Sequence, residues 1–151
     1  MNYNQYNRWK VFFENAEKQF VHVVISTKLI NDKHMLLPPK FNQRCKIYHY
    51  FRRYWSKNYT VKMLCNLHIK KINNKLYLSA GDPGIFPDQI NSIKLLKNQS
   101  NKKVFKVKYG WKGFPDWLTV VYQVKKNLKT GRYEIVKRYS GARDYRYATC
   151  K

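Results

Sequence analysis

From residue 9 to residue 20 the apolar side chains Trp9, Phe12, Phe13, Ala16 and Phe20 recur every three or four positions, which is one stripe of a helix. Residues 21–30 change period. They are rich in β-branched side chains and predict a strand that ends at Asn31-Asp32-Lys33. After Pro38-Pro39, residues 41–59 return to helical spacing through Ile47, Tyr50, Phe51, Tyr54 and Trp55. Arg44, Lys46, Arg52, Arg53 and Lys57 fall mostly off that stripe, so this segment reads as a basic amphipathic helix.

Residues 60–80 alternate with period two. Val61, Met63, Cys65, Leu67 and Ile69 share one face, and Asn73-Asn74 supplies a turn, which together predict a hairpin. Gly81-Asp82-Pro83-Gly84 is a turn signal, and Pro87 is placed to open a short helix over residues 87–99. The longest alternation runs over 104–146. Phe105, Val107 and Tyr109 alternate with Lys106 and Lys108. Leu118, Val120, Tyr122 and Val124 follow, then a loop closed by Gly131, then Tyr133 and Ile135. The pattern predicts an α+β fold, mainly an antiparallel twisted sheet of four to six strands with two or three helices. Residues 1–8 read as a flexible N-terminal segment, 9–141 as a single basic domain, and 142–151 as a basic-aromatic tail.

Charge adds a partner to this picture. Thirty-one Lys and Arg face 8 Asp and Glu, a formal charge of +23, and such a surplus repels itself unless a polyanion neutralises it. Abundant Asn, Lys, Tyr and Ile are residues of A/T-rich codons and suit a viral, plasmid or parasite-like genome, but that bias does not explain the scarcity of acids. Cations interleave with rings at Arg52-Arg53-Tyr54-Trp55, at 106–112 and at 137–146. Cations hold phosphates and exposed rings stack on unpaired bases.

The expectation is therefore an intracellular nucleic-acid-binding protein, RNA or single strand favoured, that grips the phosphate backbone with little sequence readout. The contact residues expected are Arg44, Lys46, Arg52, Arg53, Trp55, Lys57, Lys106, Lys108, Trp111, Lys112, Lys125, Arg138, Arg143 and Arg146. A metal-independent ribonuclease is the first alternative, with His49, His68 and Tyr54 as candidate acid–base groups. A basic accessory protein that docks an acidic protein partner is the second.

Cys45, Cys65 and Cys150 are odd in number and widely spaced. They match neither a disulfide framework nor a zinc knuckle, so a reduced cytoplasmic or nuclear setting is the default. No nucleotide-binding or metal motif occurs, and no cofactor is expected. No apolar run is long enough to predict a secretory leader or a membrane span.

Overall fold

A computed structural model describes residues 1–82, 84 and 86–150. Among the described residues the fold is α+β, with three α-helices and two antiparallel four-stranded sheets. Helix α1 spans Tyr3–Ile25, α2 Arg44–Phe51 and α3 Lys57–Asn66. The first sheet is built from short strands, β1 (Lys28–Leu29), β2 (His34–Leu36), β3 (Lys70–Ile72) and β4 (Lys75–Ser79), in the order β1-β2-β4-β3. The second is a meander of longer strands, β5 (Gln89–Asn98), β6 (Lys102–Trp111), β7 (Phe114–Lys126) and β8 (Tyr133–Tyr139), in sequence order.

Helix α1 lies on the inner face of the second sheet. Phe13 stacks on Tyr122 at 4.4 Å between ring centroids, and Trp9 meets Phe105 at 4.4 Å. Phe105, Val107, Tyr109, Val120, Tyr122, Val124 and Ile135 supply the buried face, so the alternation read over 104–146 holds strand by strand. On its other side α1 meets α2, where Phe20 packs near-parallel to Phe51. The α2–α3 connection closes the sheet's last edge: Ile135 N–H donates to Tyr54 O at 2.8 Å and Ser56 N–H to Ile135 O at 2.9 Å. Covering the edge in this way leaves fewer open backbone groups for stray pairing.

Several local expectations are corrected. The segment 1–8 is helical from Tyr3, because Asn2 and Gln5 form a reciprocal capping box at its start. Half of the strand expected over 21–30 is helix, through Ile25, and only Lys28–Leu29 pairs as strand. Phe13, Ala16, Phe20 and Val23 are all buried at spacings of three and four, and that stripe carries α1 through its β-branched end. The single helix expected over 41–59 is two, parted at residues 52–56, where Ser56 caps α3. Residues 60–66 are helix rather than strand: the buried set is Thr60, Met63 and Leu67, a helical spacing that the alternation through Val61 and Cys65 hid. The hairpin there begins only at Lys70, and it does turn at Asn73-Asn74, both with positive φ.

The helix expected over 87–99 is strand β5. A register shift between Ile90 and Ser92 turns both Ile90 and Ile93 inward, so a β-bulge imitates helical spacing. Within the turn read at 81–84, Pro83 lies outside the described residues, as does Ile85 after it.

Candidate functional site

Strands β6 and β7 carry two unusual regions, a buried charged node and an exposed aromatic tip. The node centres on Glu17, which α1 presents fully buried to the sheet. Its carboxylate accepts from Arg138 Nε at 2.7 Å, Arg146 Nη2 at 3.3 Å, Tyr147 OH at 3.0 Å and the Tyr122 hydroxyl. Tyr109 OH lies 2.8 Å from Tyr122 OH. Asp144 accepts from Arg146 at 2.6 and 2.9 Å and sits 3.5 Å from Arg138 Nη2. Two carboxylates thus face two guanidiniums, and the charges balance inside the fold.

Burial works against the charge on both arginines, but the surrounding carboxylates and hydroxyls hold them above their ordinary pKa. Burial, with Glu17 adding to it, pushes the Tyr109, Tyr122 and Tyr147 hydroxyls well above theirs, so they stay protonated and can donate. Tyr147 is sandwiched: its ring stacks on Trp55 at 4.6 Å, and Arg138 lies 4.5 Å from its centroid.

The residues expected to form an element-free tail are what complete the node. Tyr145–Tyr147 is a 3-10 turn with Arg146 and Tyr147 buried. Asn66 donates to Ala148 O at 2.8 Å, and a disulfide joins Cys65 to Cys150 across 85 residues of sequence. The unpaired-thiol expectation is therefore corrected for two of the three cysteines, while Cys45 is free and exposed. Helical placement of residue 65 brings it to the chain end, and spacing along the sequence did not carry that information.

The tip lies further along the same two strands. Strand β5 pairs with β6 only as far as Gly110, and β8 pairs with β7 only from Val121 on. Residues 111–117 therefore project beyond the four-stranded sheet as a two-stranded ribbon. Trp111 pairs with Phe114, leaving the two-residue turn Lys112-Gly113, with φ 38° and 84°. Two positive φ angles in succession are what a type I′ hairpin requires. Below it, Tyr109 pairs with Leu118, so Gly110 on β6 faces residues 115–117 on β7. This bulge puts Asp116 at φ 53° and bends the ribbon. Across it Lys108 Nζ reaches Asp116 Oδ2 at 3.3 Å. A Cβ on Gly110 would fall 2.6 Å from the Asn91 side-chain amide, so a larger residue here would have to turn that side chain aside. Phe114 is 64% exposed and lies near-parallel to Trp111, and Trp117 adjoins Trp111 at 6.3 Å.

The fold scatters the residues expected to grip nucleic acid. Trp55 is fully buried and donates from Nε1 to Ala16 O at 3.1 Å, so it stacks on no base. Arg138 and Arg146 are spent on Glu17 and Asp144. Arg52 is committed to Glu134 at 2.8 Å and to Trp55 O, Arg44 to Ile69 O at 2.8 Å, and Lys46 to Pro39 O and Asn42. Arg53, Lys57, Lys106, Lys112, Lys125 and Arg143 are exposed, but in the α2–α3 connection, on α3, on the outer sheet face, at the tip and ahead of the C-terminal turn. Lys108 is held at the tip's base and Trp111 belongs to the tip itself.

No acid–base centre joins the candidate catalytic groups. Tyr54 OH accepts from Asn15 at 3.2 Å, and among the described residues neither His49 nor His68 makes a side-chain hydrogen bond. Sequence reading missed Glu17, Asp144 and Phe114. The signal available for the first was an acidic residue on the apolar side of the α1 stripe, between Ala16 and Phe20.

A family model described as IseA DL-endopeptidase inhibitor matches residues 1–126. No curated protein matches the chain. The family match overturns the nucleic-acid-binding reading, its ribonuclease alternative and the viral, RNA-binding character expected from composition. Charge and A/T-biased composition describe a surface and a genome. They do not specify what the surface meets.

Proposed function

The chain belongs to the IseA DL-endopeptidase inhibitor family, and on that premise we propose that it binds a DL-endopeptidase and blocks its cleavage of peptides. The family match, which takes in the three helices and every strand but β8, is the observation that carries this reading. An inhibitor acts through an interface, and no catalytic constellation is required of it. The partner is a protein, and a net charge of +23 makes an acidic face on it the complementary one. Complementary charge acts chiefly on the rate of encounter, so association should slow with added salt while the anchored complex persists.

The Cys65–Cys150 bond supports an oxidising compartment as the place of work, in place of the reduced one expected from unpaired thiols. A purified DL-endopeptidase titrated with the chain tests the proposal. Cleavage of a peptide with a D–L bond should fall with added protein and reach a plateau at one equivalent. Undiminished cleavage at large molar excess sinks it.

A further inference from the structure

We infer that the outer face of the β5–β8 sheet docks on an anionic lipid surface, a binding function separate from the inhibition proposed above. The register of the strands is what gathers the charge. Residues paired across antiparallel strands point to the same face. Helix α1 covers the face of Phe105, Val107, Val120 and Tyr122, so the alternate positions make up the outer one. There Lys94 stands opposite Lys106, Lys102 opposite Lys125, Lys97 opposite Val104 and Lys137 opposite Gln123. Among the described residues none of these lysines pairs with a carboxylate. Glu134, in register with Lys125, is taken by Arg52 at 2.8 Å.

This arrangement works against the fold. Directly opposed side chains have Cβ atoms about 5 Å apart, and like charges at that spacing destabilise a sheet. Lys94–Lys106 and Lys102–Lys125 are two such pairs. An anionic surface laid against them turns their mutual repulsion into a shared attraction.

Shape and side-chain type select a lipid surface among anions. The lysines are spread over all four strands, about 15 Å across, and not aligned along a groove of the kind that tracks a linear polyanion. Lysine carries a point charge on a flexible stem, which adapts to mobile headgroups, whereas the planar fork of arginine fixes a single phosphate or carboxylate. Tyr139 lies on the same face opposite Val121 and is 72% exposed. Tyrosine, with an apolar ring and a polar tip, settles at the level of the headgroups.

The test is co-sedimentation of the chain with vesicles of phosphatidylcholine alone or mixed in equal parts with phosphatidylglycerol, read without any peptidase. The chain should pellet with the mixed vesicles, stay in solution with phosphatidylcholine, and come off the mixed vesicles as salt is raised. Lys94→Gln/Lys106→Gln should weaken vesicle binding by about 5-fold for each lysine removed, about 25-fold together. Its stability to urea should equal or exceed the parent's, because an opposed like-charge pair has gone, and this separates lost binding from lost folding. Lys28→Gln/Lys33→Gln, which removes the same charge from exposed positions in and beside β1, should bind nearly as the parent does. Equal vesicle binding by the parent and Lys94→Gln/Lys106→Gln overturns the inference. Equal weakening in the two double variants overturns it too, since net charge would then be the cause. Binding to soluble polyphosphate with none to the mixed vesicles overturns it in favour of a linear polyanion. Inhibition of a DL-endopeptidase lost in Lys94→Gln/Lys106→Gln while vesicle binding persists assigns the face to the peptidase and overturns it as well.

Discussion

Strands β6 and β7 hold a buried node and an exposed tip a few residues apart, and the two are opposite solutions to placing costly groups. At Tyr109 and Tyr122 the costly groups are charges and hydroxyls out of water, and every one of them is met: Glu17 accepts from four side chains. At Trp111, Phe114 and Trp117 the costly groups are rings in water, and Phe114 is 64% exposed. A satisfied buried network specifies one arrangement and resists change. An unsatisfied exposed cluster leaves free energy to be gained from a partner. Stability should therefore reside at the node far more than at the tip, although they share a hairpin.

The comparison breaks most visibly at Glu17. Glu17→Ala removes the carboxylate that Arg138 and Arg146 share and leaves two buried guanidiniums with Asp144 alone. Uncovering a buried ion pair in this way costs about 3–5 kcal/mol. Urea denaturation should show a loss of that size, with Tyr122 losing its carboxylate acceptor as well. A loss under about 1 kcal/mol would mean that water enters the node and that the strands are held by apolar packing instead.

Next in size is the disulfide. Cys65→Ser frees the chain end that brings Arg146 and Tyr147 into the node. A cross-link over so long a span stabilises by about 2–4 kcal/mol, mainly through the unfolded chain. Thermal melting with and without a dithiol reductant should separate by a corresponding amount, and Cys65→Ser should no longer respond to the reductant. The two contributions meet at the same residues, so Glu17→Ala combined with Cys65→Ser should cost less than the sum of the singles.

What the sequence disclosed follows the same division. The alternation over 104–146 predicted the inner face of β6, β7 and β8, because period two survives wherever a strand buries one side. It failed at β5, where a bulge shifted the phase, and at residues 60–66, where the alternation of Val61, Met63 and Cys65 masked the helical set Thr60, Met63 and Leu67. The node was illegible for a different reason. Its members come from residues 17, 109, 122, 138, 144, 146 and 147, and only the fold sets them face to face. Arg138 and Arg146 looked like solvent cations because a charge with a buried partner and one with none are spelled alike. The tip was half legible: Trp111 and Lys112 stand among the expected contact residues, but Phe114 carries no sign of exposure in the sequence.

The smallest effect is also the most selective one. Burial alone would raise the Asp144 carboxyl, but the hydrogen bonds and charge of Arg146, aided by Arg138, hold it below its ordinary value of about 4. Its folded pKa therefore lies under its unfolded one. The stability it contributes is complete above about pH 4 and is lost as the pH falls through the lower, native value. Urea midpoints measured from about pH 5 down to about pH 3 should decline in the parent. They should decline less in Asp144→Asn, which has no such proton to take up. At the tip the corresponding carboxylate, Asp116, is more than half exposed and pairs with Lys108, a contact that contributes little in water. Equal slopes for the parent and Asp144→Asn would show that the acid response comes from outside the node, and would remove the electrostatic half of the contrast between the two ends of this hairpin.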